Sequence, residues 1–324
     1  MRRLIGSTCV FLATAIVLLR ADLCVARPQS SSNDTRAIIP LQYAEQIPNA
    51  ISRQRPHSLT TKPNATVKYV PSPNDTASVA EGADVGVTIW RLRAALPIDS
   101  TEIQEPTRIA VRQRGKTQEK IMMMTPARAE SETLFSDGDL LKFTVESSFE
   151  AYIYIINRER YQDGTMSDPY LIFPATPDVG VNDKVYPGRL LFLPSVKDDD
   201  KFVLKRLSDL SPPLGRNPTV IAETFTLILL SRPLADLAPL AQTEEPRKLT
   251  PQQLARWQSE WGGRVWRFEL QQGAGASMTK AEKRSGIQGG GVLHEADPTP
   301  QTVYHIERKS PDALIFDVSI AIRK

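Results

Sequence analysis

Cysteine is nearly absent from this chain of 324 residues: there are two, Cys9 and Cys24, and both stand near the N-terminus. The surrounding stretch has Arg2 and Arg3, an apolar run from Leu4 to Leu19, then Leu23-Cys24-Val25-Ala26 ahead of Arg27 and Pro28. That order predicts a secretory signal peptide over residues 1–26, cleaved after Ala26. The run is shorter than the roughly 20 apolar residues that span a bilayer, so no stable membrane insertion is expected after cleavage. Leu23 stands where lipid attachment at Cys24 would need a small residue. The expected mature chain therefore has no thiol. Thiol catalysis, thiolate metal sites and disulfides are excluded for it, and its core alone must hold it together.

Histidine is scarce as well. His57, His294 and His305 have neither metal-site nor triad spacing. Leu293-His294-Glu295 begins like a zinc-protease helix, but the position four residues after His294 is Pro298. No Gly-x-Ser-x-Gly elbow occurs. Net charge is also lacking: 40 Lys and Arg stand against 37 Asp and Glu. Removing residues 1–26 takes away Arg2, Arg3, Arg20 and Asp22 and leaves 37 basic against 36 acidic residues. Such a balance gives no electrostatic footprint for nucleic acid or anionic lipid.

What is present is enough apolar material, 41% of the residues, for a packed core. It is unevenly placed. Residues 27–83 are rich in Ser, Pro, Asn and Thr with Tyr43 and Tyr69 as their aromatics, a composition that reads as a disordered spacer. Asn33-Asp34-Thr35, Asn64-Ala65-Thr66 and Asn74-Asp75-Thr76 in it match the N-glycosylation pattern, which matters only in a eukaryotic secretory pathway. Residues 84–324 carry the strand signals of a β-rich globular domain.

The densest signal runs from Asp137 to Pro174. Leu141, Phe143 and Val145 alternate with Lys142, Thr144 and Glu146, predicting a strand with one buried and one wet face. Ala151–Ile156 is apolar on both faces and reads as a core strand, and Tyr170–Phe173 as a third. Gly164 after Asp163 suits the turn between the last two, so an antiparallel meander is expected. Val85–Arg93 opens the domain as a strand, and the polar segment after it reads as a loop with one short strand near Ile121–Met124. Short strands are expected at Arg189–Leu193 and Lys201–Lys205, and a long one at Thr219–Ser231. Thr250 and Pro251 start a helix whose Leu254, Trp257 and Trp261 share one face, ended by Gly262 and Gly263. A strand at Arg264–Leu270, a second helix at Met278–Arg284 and strands at Thr302–Glu307 and Ala313–Ile322 complete the pattern. With no βαβ rhythm, this is a mostly β chain: an antiparallel β-sandwich, Ig-like in general architecture, with one or two short helices.

Several residues were weighed as sites. Met122–Met124 reads as packing rather than soft metal ligation. Asp198–Asp200, and Asp163, Asp168 and Asp183, lack the alternating ligand spacing of a calcium loop. Gly273-Ala274-Gly275 lacks the third glycine of a phosphate cradle. No metal or cofactor is expected. Glu146, Glu150 and Asp163 would serve glycosidase chemistry only in a cleft supplied by the fold. Tyr152, Tyr154, Tyr161, Tyr170 and Tyr186 cluster around the central stretch, so Tyr154, Tyr161, Tyr170 and Asp163 are the candidate partner-binding residues. The bland reading of the tyrosines is half-burial with a bonded hydroxyl.

Val85–Arg91, the Asp137-Gly138-Asp139 turn, Tyr154–Phe173 with Asp163-Gly164-Thr165, Pro169–Pro174, Trp257, Trp261 and Met278–Glu282 together resemble the bacterial domain-of-unknown-function family 4384, over about residues 83–324. The resemblance implies a β-rich, exported, single-domain bacterial protein and assigns no activity. The expectation is a non-catalytic binding or scaffolding domain of the cell envelope or extracellular space whose partner is an envelope protein or glycan. A carboxylate-based envelope-glycan hydrolase and a structural assembly subunit are the alternatives.

Overall fold

A computed structural model describes residues 65–70, 82–113, 116–129, 133–174, 183–194, 201–204, 219–234, 246–270, 273–286 and 290–323. All of them lie within the unit Asn33–Lys324. They build two β-sheets and two helices, a mostly β sandwich as the alternating pattern predicts.

The first sheet is organised on β2 (Gly82–Ala94), whose odd positions Val85, Val87 and Ile89 face the core. One edge of β2 pairs with β6 (Leu140–Ser147), which in turn pairs with the short β10 (Leu191–Leu193) and β11 (Phe202–Val203). The other edge changes partner midway. Gly82–Val87 pair with β15 (Thr302–Glu307), and Trp90–Ala94 pair with β4 (Lys116–Arg128). At the changeover the side chain of Gln301 stands in for a strand: its Oε1 accepts from Ile89 N–H at 3.1 Å. Beyond β15 follow β14 (Arg264–Leu270) and β1 (Ala65–Val70), and beyond β4 follows β3 (Glu105–Gln113).

The second sheet runs β13 (Arg247–Lys248), β8 (Tyr170–Phe173), β7 (Ala151–Tyr161), β12 (Val220–Leu230), β16 (Ala313–Ile322), β5 (Leu134–Phe135), with β9 (Lys184–Val185) beside the start of β7. Its one parallel pair is β16 with β5. Ile153, Ile155, Phe225, Leu227, Phe316 and Val318 on its inner face pack against Val87, Leu141, Phe143, Val145, Tyr304 and Ile306 of the first sheet. Its outer face is apolar too, with Tyr154, Ile156, Ile228 and Ile315 covered by Leu254 and Trp257 of α1 (Pro251–Trp261). That helix starts as predicted, with Thr250 Oγ1 accepting from Gln253 N–H at 3.1 Å. On the outer face of the first sheet Trp90 packs with Ile103 and Met278, just ahead of α2 (Lys280–Ser285).

Four expectations need correction. The strand Leu140–Ser147 does not form a meander with Ala151–Tyr161: the chain crosses at Ser148–Glu150 from one sheet to the other, and only β7 and β8 pair as a hairpin, through Gly164 at φ +86°. A crossing lets both strands bury their apolar residues in the same core, which a flat meander would not. Second, the predicted wet face of β6 is buried: Lys142 pairs with Glu105, and Thr144 Oγ1 accepts from Trp90 Nε1–H at 3.0 Å. Third, the polar segment after Arg93 holds not one short strand but the long hairpin β3–β4, registered from Glu105 opposite Met124 to Gln113 opposite Lys116. Main-chain pairing makes that ladder, so side-chain polarity does not announce it. Fourth, the expected spacer 27–83 contains β1, paired in antiparallel register with β14. A composition averaged over the whole segment hides a six-residue run of strand-forming type. The acidic run Asp198–Asp200 and His57 lie outside the described residues.

Candidate functional site

The four candidate partner-binding residues do not form an exposed aromatic face. Tyr154 is buried under α1, its hydroxyl accepting from Leu234 N–H at 2.9 Å. Tyr161 is buried and donates to Glu159 Oε2 at 2.9 Å. Tyr170 is buried on β8, registered opposite Asn157. Asp163 is exposed, but its Oδ1 accepts from the N–H and hydroxyl of Thr165 and shapes its own turn. Buried rings cannot stack on a sugar or peptide arriving from solvent, so the bonded-hydroxyl reading describes Tyr154 and Tyr161.

Nor do the candidate glycosidase carboxylates converge. Glu146 is buried in the first sheet, while Glu150 is exposed and paired with Lys184 at 2.8 Å. His294 sits exposed in a loop, and His305 Nδ1–H donates to Asp84 Oδ1 at 2.6 Å on β2. Gly82 is required beside it, because a Cβ there would lie 2.6 Å from the ring Nε2. Among the described residues no group of three or more His, Cys, Asp or Glu side chains is placed to hold a metal ion, and no helix is long and apolar enough to cross a membrane. A small cleft of about 30 Å³ opens between the sheets, lined by Arg267, Gln301, Tyr304 and Phe135 among others. It has room for a water or two and for no sugar ring. Burial pushes the Tyr304 hydroxyl up to about 12.

Two features were not foreseen. On the inner face of the second sheet Glu159 and Glu223 stand directly opposite each other, with Asn157 and Tyr161 beside them. Both carboxyls are buried, at 0% and 3% exposure. Burial first, and the facing Glu159 second, push Glu223 up to about 8. One sign was legible: Asn157, Glu159 and Tyr161 continue the inward parity of Ile153 and Ile155.

The other feature is a surface. Of the six large apolar side chains exposed among the described residues, four gather at one place: Leu96, Ile98, Ile121 and Met123. Ala95 N–H donates to Met123 O at 2.9 Å, setting the turn that carries Leu96 and Ile98 against β4. Ile121 follows Met123 on the same face, with Arg108 registered beside it on β3. Ile98 is 88% exposed, yet its turn is firmly held. The neighbouring Asp99 carboxylate accepts from both Arg93 Nη atoms at 2.7 and 2.8 Å, from Leu96 N–H, and from the hydroxyls of Thr125 and Ser277. Those donors, Arg93 foremost, hold Asp99 far below the ordinary carboxylate range. β3 is the end strand of its sheet, paired on one side only among the described residues.

No family model, no curated protein and no solved structure matches the chain. The resemblance to family 4384 therefore rests on the residues that carry it.

Proposed function

We propose that this chain is a non-catalytic, exported binding domain of the cell envelope or extracellular space, and that it engages its partner, an envelope protein or glycan, through the β3–β4 edge. The observation that carries the reading is the exposed Leu96, Ile98, Ile121 and Met123 cluster on a turn pinned by Asp99. Apolar side chains left in water gain nothing for the fold, whereas a rigid mount spares a binding surface part of the ordering cost. An edge strand adds main-chain donors and acceptors for an extended segment.

The test is retention of envelope fractions and arrayed glycans on the immobilised full chain, compared with an Ile98→Asp/Ile121→Asp double variant. The expected result is a bound component that the double variant loses at unchanged Tm. A blank across all fractions and glycans, or equal retention by the variant, overturns the reading. The hydrolase alternative was drawn from Glu146, Glu150 and Asp163, which do not converge, and the facing pair Glu159 and Glu223 is buried as well, whereas glycoside hydrolysis needs both carboxyls at the scissile bond. Stable oligomers on a sizing column would favour the assembly alternative.

A further inference from the structure

Two glutamates facing each other across paired central strands sit with their Cβ atoms about 5 Å apart. Glu159 and Glu223 do so on the inner face of the sandwich, taken out of water on every side. Like charges in that position repel, and burial strengthens the repulsion. Glu223 Oε2 is buried and accepts no hydrogen bond. The same holds for Oδ1 of Asn157, a side chain 8% exposed whose amide bonds the Glu223 carboxyl. The pair is thus joined by a neutral amide whose oxygen also lacks a donor. Both of these unpartnered buried atoms are oxygens, and what satisfies several oxygens at once is a hard cation.

We propose that Glu159, Glu223 and Asn157 form a site for a divalent cation of the calcium type between the two sheets. Two carboxylates neutralise its charge, which makes burial tolerable. Two carboxylates and an amide carbonyl offer oxygen ligands, and calcium accepts mixed carboxylate, carbonyl and water ligands without strict geometry. Tyr161 donates to Glu159 Oε2 and fixes how that carboxylate is turned, the part an outer partner plays in metal sites. Asp137, exposed in the turn ahead of β6, adds negative field at Glu223. Across from Glu223 on the other side, β16 presents the neutral Ile320. Asp168 adds negative field at Tyr161.

The test is thermal unfolding of the full chain against calcium chloride, with EDTA as baseline and magnesium chloride as comparison. Calcium is expected to raise Tm at pH 8.5, by an amount that grows with the calcium concentration. Glu223→Gln is expected to lose the shift, and Asn157→Asp, which adds a third carboxylate, to bind more tightly at pH 8.5. A wild-type Tm that millimolar calcium leaves unmoved at pH 8.5 overturns the site. So does a shift that magnesium equals or that survives in Glu223→Gln.

Discussion

Glu223 shows how one residue can set the pH response of the whole fold. In the folded chain burial and the facing Glu159 keep its proton up to about pH 8, whereas in the unfolded chain it is lost near the ordinary 4.5. Between those values the folded state holds one more proton than the unfolded state, so stability falls as pH rises, by up to about 5 kcal/mol, and is level above pH 8. Urea unfolding in EDTA across pH 4–9 is expected to show that slope, and Glu223→Gln to flatten it and to be the more stable protein at pH 8. A wild-type profile without the slope, or a variant that keeps it, contradicts the assignment. Period-2 alternation reveals which residues point inward, but charge at an inward position is invisible to it. The same blindness hid Lys142 with Glu105, and Arg128 with Glu282 beneath Trp90. In each case the partner comes from a distant strand or helix, and no local pattern encodes it.

At the level of elements, legibility follows how locally each one is determined. Helix α1 carries its own instructions: an N-cap, a proline at the first turn, and Leu254 and Trp257 on one buried face. Thr250→Ala removes the side-chain acceptor for Gln253 N–H and is expected to cost about 1 kcal/mol in denaturant unfolding, with Thr250→Ser near neutral. Equal losses in both variants would show that the hydroxyl does not cap. The strands β14, β15 and β16 were equally readable, because β-branched and aromatic residues recur along each of them. Pairing partners were not readable. β6 and β7 are neighbours in sequence with matching apolar faces, yet three residues, Ser148–Glu150, carry the chain from one sheet to the other. Of the hairpin β3–β4, only the strand near Ile121–Met124 was legible, because the rest of it is polar and its ladder is made by the main chain. The apolar run Ile121–Met124 does not alternate, so the sequence did not show that Ile121 and Met123 face water.

The molecule as a whole is layered unevenly, and its stability should be too. In the second sheet β7, β12 and β16 lie at the centre, sealed by the first sheet on one face and by α1 on the other. The β3–β4 hairpin lies at the rim of the first sheet, with β3 paired on one side and Lys120, Ile121 and Met123 open to water. Amides exchange through the least costly opening that frees them, and an opening that exposes little apolar surface costs little. Hydrogen exchange is therefore expected to be slowest at Ile153–Ile156, Phe225–Leu230 and Leu314–Val318, and faster by orders of magnitude at Lys116–Lys120. The contrast bears on function as well as folding. If the exposed apolar cluster is a docking surface, its partner should slow exchange along the hairpin and leave β12 unchanged, because β12 is already sealed on both faces. Uniform protection across both sheets would mean that the rim is held by contacts other than those along β4, and the case for an open edge awaiting a partner would fail with it.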